Sequence, residues 1–447
     1  MRTYLVLATA GLALGAVLPA PAQARPDTSW VARSAIYEVN VRDFAPAGNL
    51  AGVTAGLDRI QAVGANVIWL MPIYPVGIKN AKGPLGSPYA VRNYAAIDSA
   101  FGTEADLRAL VKAVHARGMK IILDWVPDHT AWDNPWIAAH PDYYVHNDKG
   151  EISVPVDPGG HLTDWTDVAQ LDYKNPALRR AMIAAMRWWL TRFDIDGYRV
   201  DAAGFVPDQF WREAVPALRS SVKRRILLLA EWGDLKMVSF GFDLTYPWES
   251  YGRLKAVWKG APADSFVRAE IADVRAIPPG GARLRFTTNH DETAWDQPPI
   301  ALFGHGSGAG ARAAYAAMAL MPGRPLIYDG QEVESPQRLG LFERDSVVWG
   351  QPRAEEARGF YRKVVDLART DTNFLRGDFE AVATGDPADV IAYRRGGALV
   401  LVNARDHEAA FTVSGVAVNG LRDRLADAVQ QGDTVHLPAY GALVLER

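Results

Sequence analysis

Short, mostly apolar runs recur along this chain with amphipathic helices between them, and that alternation narrows the fold more than any other feature. Ala65 to Leu70 (ANVIWL), Met119 to Trp125 (MKIILDW), Tyr198 to Val200 and Ile226 to Ala230 (ILLLA) lack the polar face of a half-exposed strand. Runs of that kind suit parallel strands covered on both sides. Ala35 to Val41, Leu284 to Thr288 and Pro325 to Tyr328 read as further strands, and Phe242 to Leu244 as a weaker one. Between them, Leu107, Leu110, Val111 and Val114 follow helical spacing, and Gly118 reads as the cap. Asn175-Pro176 opens another helix whose buried stripe is Leu178, Met182, Met186, Trp189 and Leu190. About eight such units imply a closed (β/α)8 barrel rather than an open sheet.

Two stretches break the rhythm. Residues 131–173 are rich in Asp, Gly, Pro and Trp and too long for an ordinary connection, so they read as a subdomain inserted after the third strand. From residue 374 the texture becomes short alternating runs between turns: Val390 to Arg394, Ala398 to Val402, Ala410 to Val413 and Ala442 to Leu445. That pattern predicts an antiparallel β-sandwich over residues 374–447, behind a catalytic barrel over 25–373. Gly304 to Gly310 reads as a loop over the barrel mouth.

The ends of the apolar strands carry the chemistry. Asp124 with His129, Arg199 with Asp201, Glu231, and His290 with Asp291 each follow such a strand. A barrel brings strand ends together at one face. Arg199 and Asp201, two apart, can point the same way, so the guanidinium can hold that carboxylate ionised. Carboxylates, histidines and one arginine in a single cleft suit acid–base work on a polar, uncharged substrate. Asp, Glu and His also ligate metals, but an arginine among them opposes a cation. With a net charge of −3 and no basic run, nothing points to nucleic acid as a partner, and none is expected. With no cysteine, disulfides and thiolate metal sites are excluded. Arg2, the apolar run Tyr4 to Leu18 and Ala22-Gln23-Ala24 read as an export signal over residues 1–24. The protein is therefore expected outside the cytoplasm, secreted or periplasmic, without stable membrane insertion.

Asp124-Trp-Val-Pro-Asp-His129, Gly197-Tyr-Arg-Val-Asp201, Glu231 and Asn289-His-Asp291 resemble, in order, the sequence regions of the α-amylase family of glycoside hydrolases. Ile36-Tyr37-Glu38, Ile68 to Pro72, Tyr89 to Tyr94 and Met321 to Tyr328 also look like that family, so the resemblance spans nearly the whole mature chain. It implies that Asp201 is the nucleophile, Glu231 the general acid/base and Asp291 the carboxylate that orients the sugar. It further implies that Arg199 holds Asp201, that His129 and His290 bind sugar hydroxyls, that Tyr89 stacks beneath the sugar ring and that Asp124 braces Arg199.

The sequence also departs from the family pattern. The residue before His129 is Asp128, where the family usually has Asn, which in many members ligates a structural calcium. Asp could ligate calcium too, so Asp128 is the one metal candidate. The Lys-His pair common after the nucleophile is replaced by Ala203-Gly204-Phe205, which leaves the calcium and the usual acceptor-side contact in doubt. The chemistry itself calls for no cofactor. Ala202, directly after the nucleophile, points within the family to α-1,4 bonds. The expectation is a monomeric, retaining hydrolase of starch or maltodextrins. A transglycosylase, an α-1,6-glucosidase and a non-catalytic sugar-binding relative are the alternatives.

Overall fold

A computed structural model describes residues 30–447, so the export signal read over residues 1–24 lies outside the described residues. The strands of the barrel are β1 (Ile36–Val39), β2 (Val67–Leu70), β3 (Lys120–Trp125), β6 (Gly197–Val200), β7 (Leu227–Ala230), β8 (Leu244–Thr245), β9 (Ala282–Arg285) and β10 (Arg324–Tyr328). They close in chain order, all parallel, with β10 beside β1. Between β3 and β6 runs the inserted excursion, pinned at its base by the antiparallel pair β4 (His129–Ala131) and β5 (Val168–Gln170).

The apolar runs are the barrel walls. All of Ile68, Trp69, Leu70, Ile121, Ile122, Leu228 and Leu229 are buried, as strands covered on both faces require. Leu107, Leu110, Val111 and Val114 are the buried face of helix Glu104–Ala116. Helix Pro176–Phe193 starts on the Asn175 cap and buries its predicted stripe. Among the described residues no helix is long and apolar enough to cross a membrane.

Two barrel strands differ from their sequence reading. The weakness read at Phe242 to Leu244 is real: β8, the sixth barrel strand, holds only Leu244 and Thr245. The strand read at Leu284 to Thr288 starts earlier, at Ala282, and carries arginines. Arg283 pairs with Asp273 and Arg285 with Glu270, both on helix Ala263–Ala276, so charge takes the place of apolar packing there. Ser307 caps helix Gly308–Ala319, where Gly308 and Gly310 pack tightly on Glu334 and the Phe303 carbonyl. The Gly304 to Gly310 stretch is therefore a close-packed helix start and no part of the lining of the cavity at the barrel mouth.

The C-terminal strands are β11 (Phe379–Ala381), β12 (Val390–Arg395), β13 (Ala398–Asn403), β14 (Ala409–Thr412), β15 (Arg422–Asp423), β16 (Thr434–Leu437) and β17 (Ala442–Glu446). Five form one antiparallel sheet in the order β11-β12-β13-β17-β15, and β14 pairs with β16. Val390, Leu399, Leu401, Phe411, Val435 and Leu437 form the core between them. On its other face the larger sheet is tied to the barrel: the Tyr393 hydroxyl donates to the Ala317 carbonyl at 3.0 Å and Arg395 to the Leu320 carbonyl at 2.9 Å.

A very close approach of strand to strand falls at the start of β6. Gly197 sits at φ 147°, and a Cβ there would lie 1.9 Å from the Leu227 carbonyl oxygen. Gly197→Ala is expected to destabilise the fold by more than about 3 kcal/mol, because neither the backbone angle nor the ladder can yield. Urea unfolding measures this, and a loss under about 1 kcal/mol would contradict the packing described.

Candidate active site

Each reacting-type side chain stands one residue past a barrel strand and is fixed there by a backbone bond. The Asp201 N–H donates to the Trp125 carbonyl at 2.8 Å, and the Glu231 N–H to the Val200 carbonyl at 2.9 Å. These bonds extend the β3–β6 and β6–β7 ladders by one step. Asp291 is set differently: Asn289 caps helix His290–Trp295 through the Glu292 N–H, which places Asp291 in its first turn.

Arg199 is the hub. Its Nη1 donates to Asp124 at 2.9 Å and to Asp201 at 2.8 Å. Its Nη2 stands 2.9 Å from Glu231 Oε1, at ion-pair distance but without hydrogen-bond alignment. Burial opposes the guanidinium charge, yet Asp124 and Glu231 outweigh it and hold Arg199 firmly protonated. Asp124 is itself braced by the Trp69 indole N–H at 3.0 Å and the Tyr89 hydroxyl at 3.1 Å. Burial pushes its carboxyl up to about 6 against the pull of Arg199.

Glu231 has the opposite environment to a freely ionised carboxylate. Its side chain is 14% exposed, and its Oε2 accepts only one backbone bond, from Ala202 N–H at 2.9 Å. Burial, reinforced by Asp201 and Asp291, pushes it up to about 8 despite Arg199. Ala202 takes a left-handed conformation, φ 40°, to aim that N–H. Such a conformation is uncommon outside glycine and marks a constrained turn.

A second charged group sits opposite. His290 Nδ1 lies 2.5 Å from Glu38 Oε1, and its Nε2 lies 3.2 Å from Asp291 Oδ2 and 2.7 Å from the Tyr89 hydroxyl. Burial works against an imidazolium, but Asp291 and Glu38 outweigh it, so His290 stays charged well above the ordinary histidine range. Asp291 would also rise on burial, yet His290 and then Arg199 hold it below its ordinary value. The Tyr89 ring stacks on the His290 ring at 5.3 Å between centroids. Glu38 escaped the sequence reading as a site residue. Its signal was an acid inside the apolar run AIYEVNV, and burial holds it above its ordinary value against the pull of His290.

Tyr89, His129, Asp201, Glu231 and Asp291 line one cavity of about 510 Å³, and Arg199 and Asp124 form its buried floor. His129 is set by Asp128 at 3.4 Å, and its ring meets Trp165 of the excursion at 5.6 Å. Burial pulls its proton away, but Asp128 and Asp201 outweigh that and hold it above the ordinary value. Where the Lys-His pair is missing, aromatic rings take the space. Phe205 stacks on Trp165 at 5.2 Å, and the Trp232 ring lies directly over Gly204, which has no side chain to block it.

The surroundings of Asp128 do not fit a calcium ion. Its carboxylate turns to His129, and nearby carbonyls already accept tyrosine hydroxyls. The Tyr94 hydroxyl donates to Val126 and His129, and Tyr173 to Pro127, at 2.7–2.9 Å. Among the described residues no three His, Asp or Glu side chains converge as a metal site.

Paired carboxyls on one guanidinium, with Glu231 pushed toward its protonated form by burial, in a sugar-sized cleft at the mouth of a (β/α)8 barrel are an arrangement that suits glycosidic bond cleavage. The family model described as "Alpha amylase, catalytic domain" matches residues 24–156 and 161–224. The chain is 29% identical over 385 residues to α-amylase MalA of Haloarcula japonica, covering 82% of this chain and 54% of that protein, so it spans about half that relative's length. It superposes on a maltogenic α-amylase, AmyB, from Thermotoga neapolitana with a TM-score of 0.80 at 28% identity, over 93% of this chain and 98% of that one. An α-amylase from Lactobacillus plantarum gives 0.80 at 29% identity, over 93% and 99%. The family model, the relatives and the solved structures all place this chain's similarity with the α-amylase family of glycoside hydrolases.

Since Glu38 keeps the charge on His290, Glu38→Gln is expected to lower the pH at which His290 titrates by about one unit or more. NMR of ¹⁵N-labelled histidine reads this directly, and an unchanged His290 titration would contradict the pairing.

Proposed function

We propose that the protein is an exported, monomeric hydrolase that cleaves α-1,4-glucosidic bonds of starch or maltodextrins with retention of configuration. The observation that carries the reading is Arg199 standing between Asp201 and Glu231, at 2.8 and 2.9 Å. A single guanidinium touching both carboxyls fits the short separation, about 5–5.5 Å, of a retaining pair rather than the wider gap that admits a water.

In the first step the Asp201 carboxylate attacks the anomeric carbon while Glu231 passes its proton to the departing glycosidic oxygen. A covalent glycosyl ester forms on Asp201 and the leaving chain departs as an alcohol. In the second step Glu231, now ionised, takes a proton from water, the water oxygen bonds to the anomeric carbon, and the Asp201 carboxylate is released. Asp291, held ionised by His290, accepts hydrogen bonds from ring hydroxyls and complements the positive charge that develops on the sugar. His129 and His290 hold further hydroxyls, and Tyr89 supplies an apolar face beneath the ring. The choice of α-1,4 bonds rests on Ala202 after the nucleophile, and export rests on the apolar leader.

Asp201→Asn is expected to lower kcat on maltoheptaose by about 10³–10⁵-fold, as loss of a group central to catalysis does, with an unchanged unfolding temperature. Retained turnover would remove the nucleophile assignment. Because Glu231 must carry its proton into the first step, kcat/KM is expected to fall as the pH rises through about 8. A pH–rate profile whose alkaline limb lies at or below about pH 6, near the ordinary carboxylate range, would contradict the environment described for Glu231.

A further inference from the structure

One side of the cavity is walled off by a loop fixed at both edges. The loop between β2 and the Glu104–Ala116 helix folds back on itself at an antiparallel bridge between Val76 and Val91. Toward the excursion, Lys82 Nζ donates to the Asp164 carbonyl at 3.0 Å and lies 3.4 Å from the Asp167 carboxylate, which is buried. The Ile78 N–H donates to the Asp133 carboxylate at 3.1 Å. Toward the segment after β10, the Leu85 N–H donates to the Phe342 carbonyl at 3.0 Å. Arg42, buried beneath, donates to the carbonyls of both Gly86 and Leu341, at 3.4 and 3.1 Å. At Gly83, φ 63°, a Cβ would come within 2.4 Å of the Phe342 Cβ, so the two loops touch without a gap.

The wall spans the arc of the mouth from β10 past β1 and β2 to the excursion after β3. Glu231 stands on β7, across the barrel. A proton donor must face the leaving oxygen, so the departing chain runs out on the β7 side, past Trp232. Lys82, Asp167, Leu341 and Phe342 line the same cavity as Tyr89 and Asp291, so a sugar held over those two would present any residue before it to them. We infer that this is a blind pocket for the non-reducing end, so that the enzyme trims short units from chain ends instead of cutting within chains. The inference rests on the hydrolase reading above. A terminal glucosyl unit ends in a free 4-hydroxyl, which Lys82 and Asp167 can bind as donor and acceptor. An internal unit carries a further sugar there, for which the latched wall leaves no path.

The test compares maltoheptaose with maltoheptaose whose terminal 4- and 6-hydroxyls are capped by an ethylidene group. Uncapped substrate is expected to yield one short product from the earliest times. The capped substrate is expected to react at least about 100-fold more slowly in kcat/KM, the scale on which a shaped site rejects a misfitting substrate. Lys82→Ala, which unlatches the wall, is expected to narrow that ratio about tenfold or more. Equal rates on the two substrates overturn the blind pocket and leave the hydrolase reading intact. An unchanged ratio in Lys82→Ala overturns the part given to the latch. Cleavage of neither substrate overturns the hydrolase reading and the pocket with it.

Discussion

One buried cation shared among three carboxyls governs this site. Arg199 is fully buried, and Asp124, Asp201 and Glu231 all lie within 2.9 Å of its two terminal nitrogens. A single positive charge cannot offset three negative ones in a desolvated site, so at least one carboxyl keeps its proton. Geometry decides which. Asp201 accepts an aligned bond from Arg199, and Asp124 is braced by Arg199, Trp69 and Tyr89, whereas Glu231 meets the guanidinium out of alignment. Glu231 is the carboxyl best placed to keep its proton, and in the proposed mechanism it is the proton carrier and Asp201 the nucleophile.

The barrel supplies this arrangement through its ladders. Asp201 and Glu231 belong to adjacent strands, each held by a backbone bond to the strand before it, so their spacing is set by sheet geometry and not by loops. The His290 cluster works as a second, separate charge set. Glu38 and Asp291 flank the imidazolium, and Tyr89 links it to Asp124 through its hydroxyl. The ring of contacts from β1 to β9 means that the site exists only when the barrel is closed.

The sequence showed the parts of this that depend on local pattern. Apolar strands that end in a polar residue stand out, which is why Asp124, Arg199, Asp201, Glu231, His290 and Asp291 could be picked out before the fold. Parts that depend on partners far along the chain stayed hidden. Glu38 looks like one polar residue in an alternating strand until His290 is brought against it. Lys82 sits in a loop whose latches, Asp164, Asp167 and Phe342, only tertiary contact reveals. Strand β9 was misplaced because its arginines are matched by acids on a neighbouring helix, and β15 was missed because two polar residues carry no periodic signal. Asp128 read as a metal candidate, but its carboxylate turns to His129, and among the described residues no set of three acids or histidines converges there.

The measurement that bears most directly on the Asp201–Glu231 pair is the anomeric form of the first products, followed by NMR as purified protein acts on maltoheptaose. A nucleophile and an acid held on one guanidinium require two inversions, so the new reducing ends appear first as the α-anomer and drift to equilibrium afterwards. Products that appear first as the β-anomer would mean a single direct displacement by water, and the role of Asp201 as nucleophile would fall.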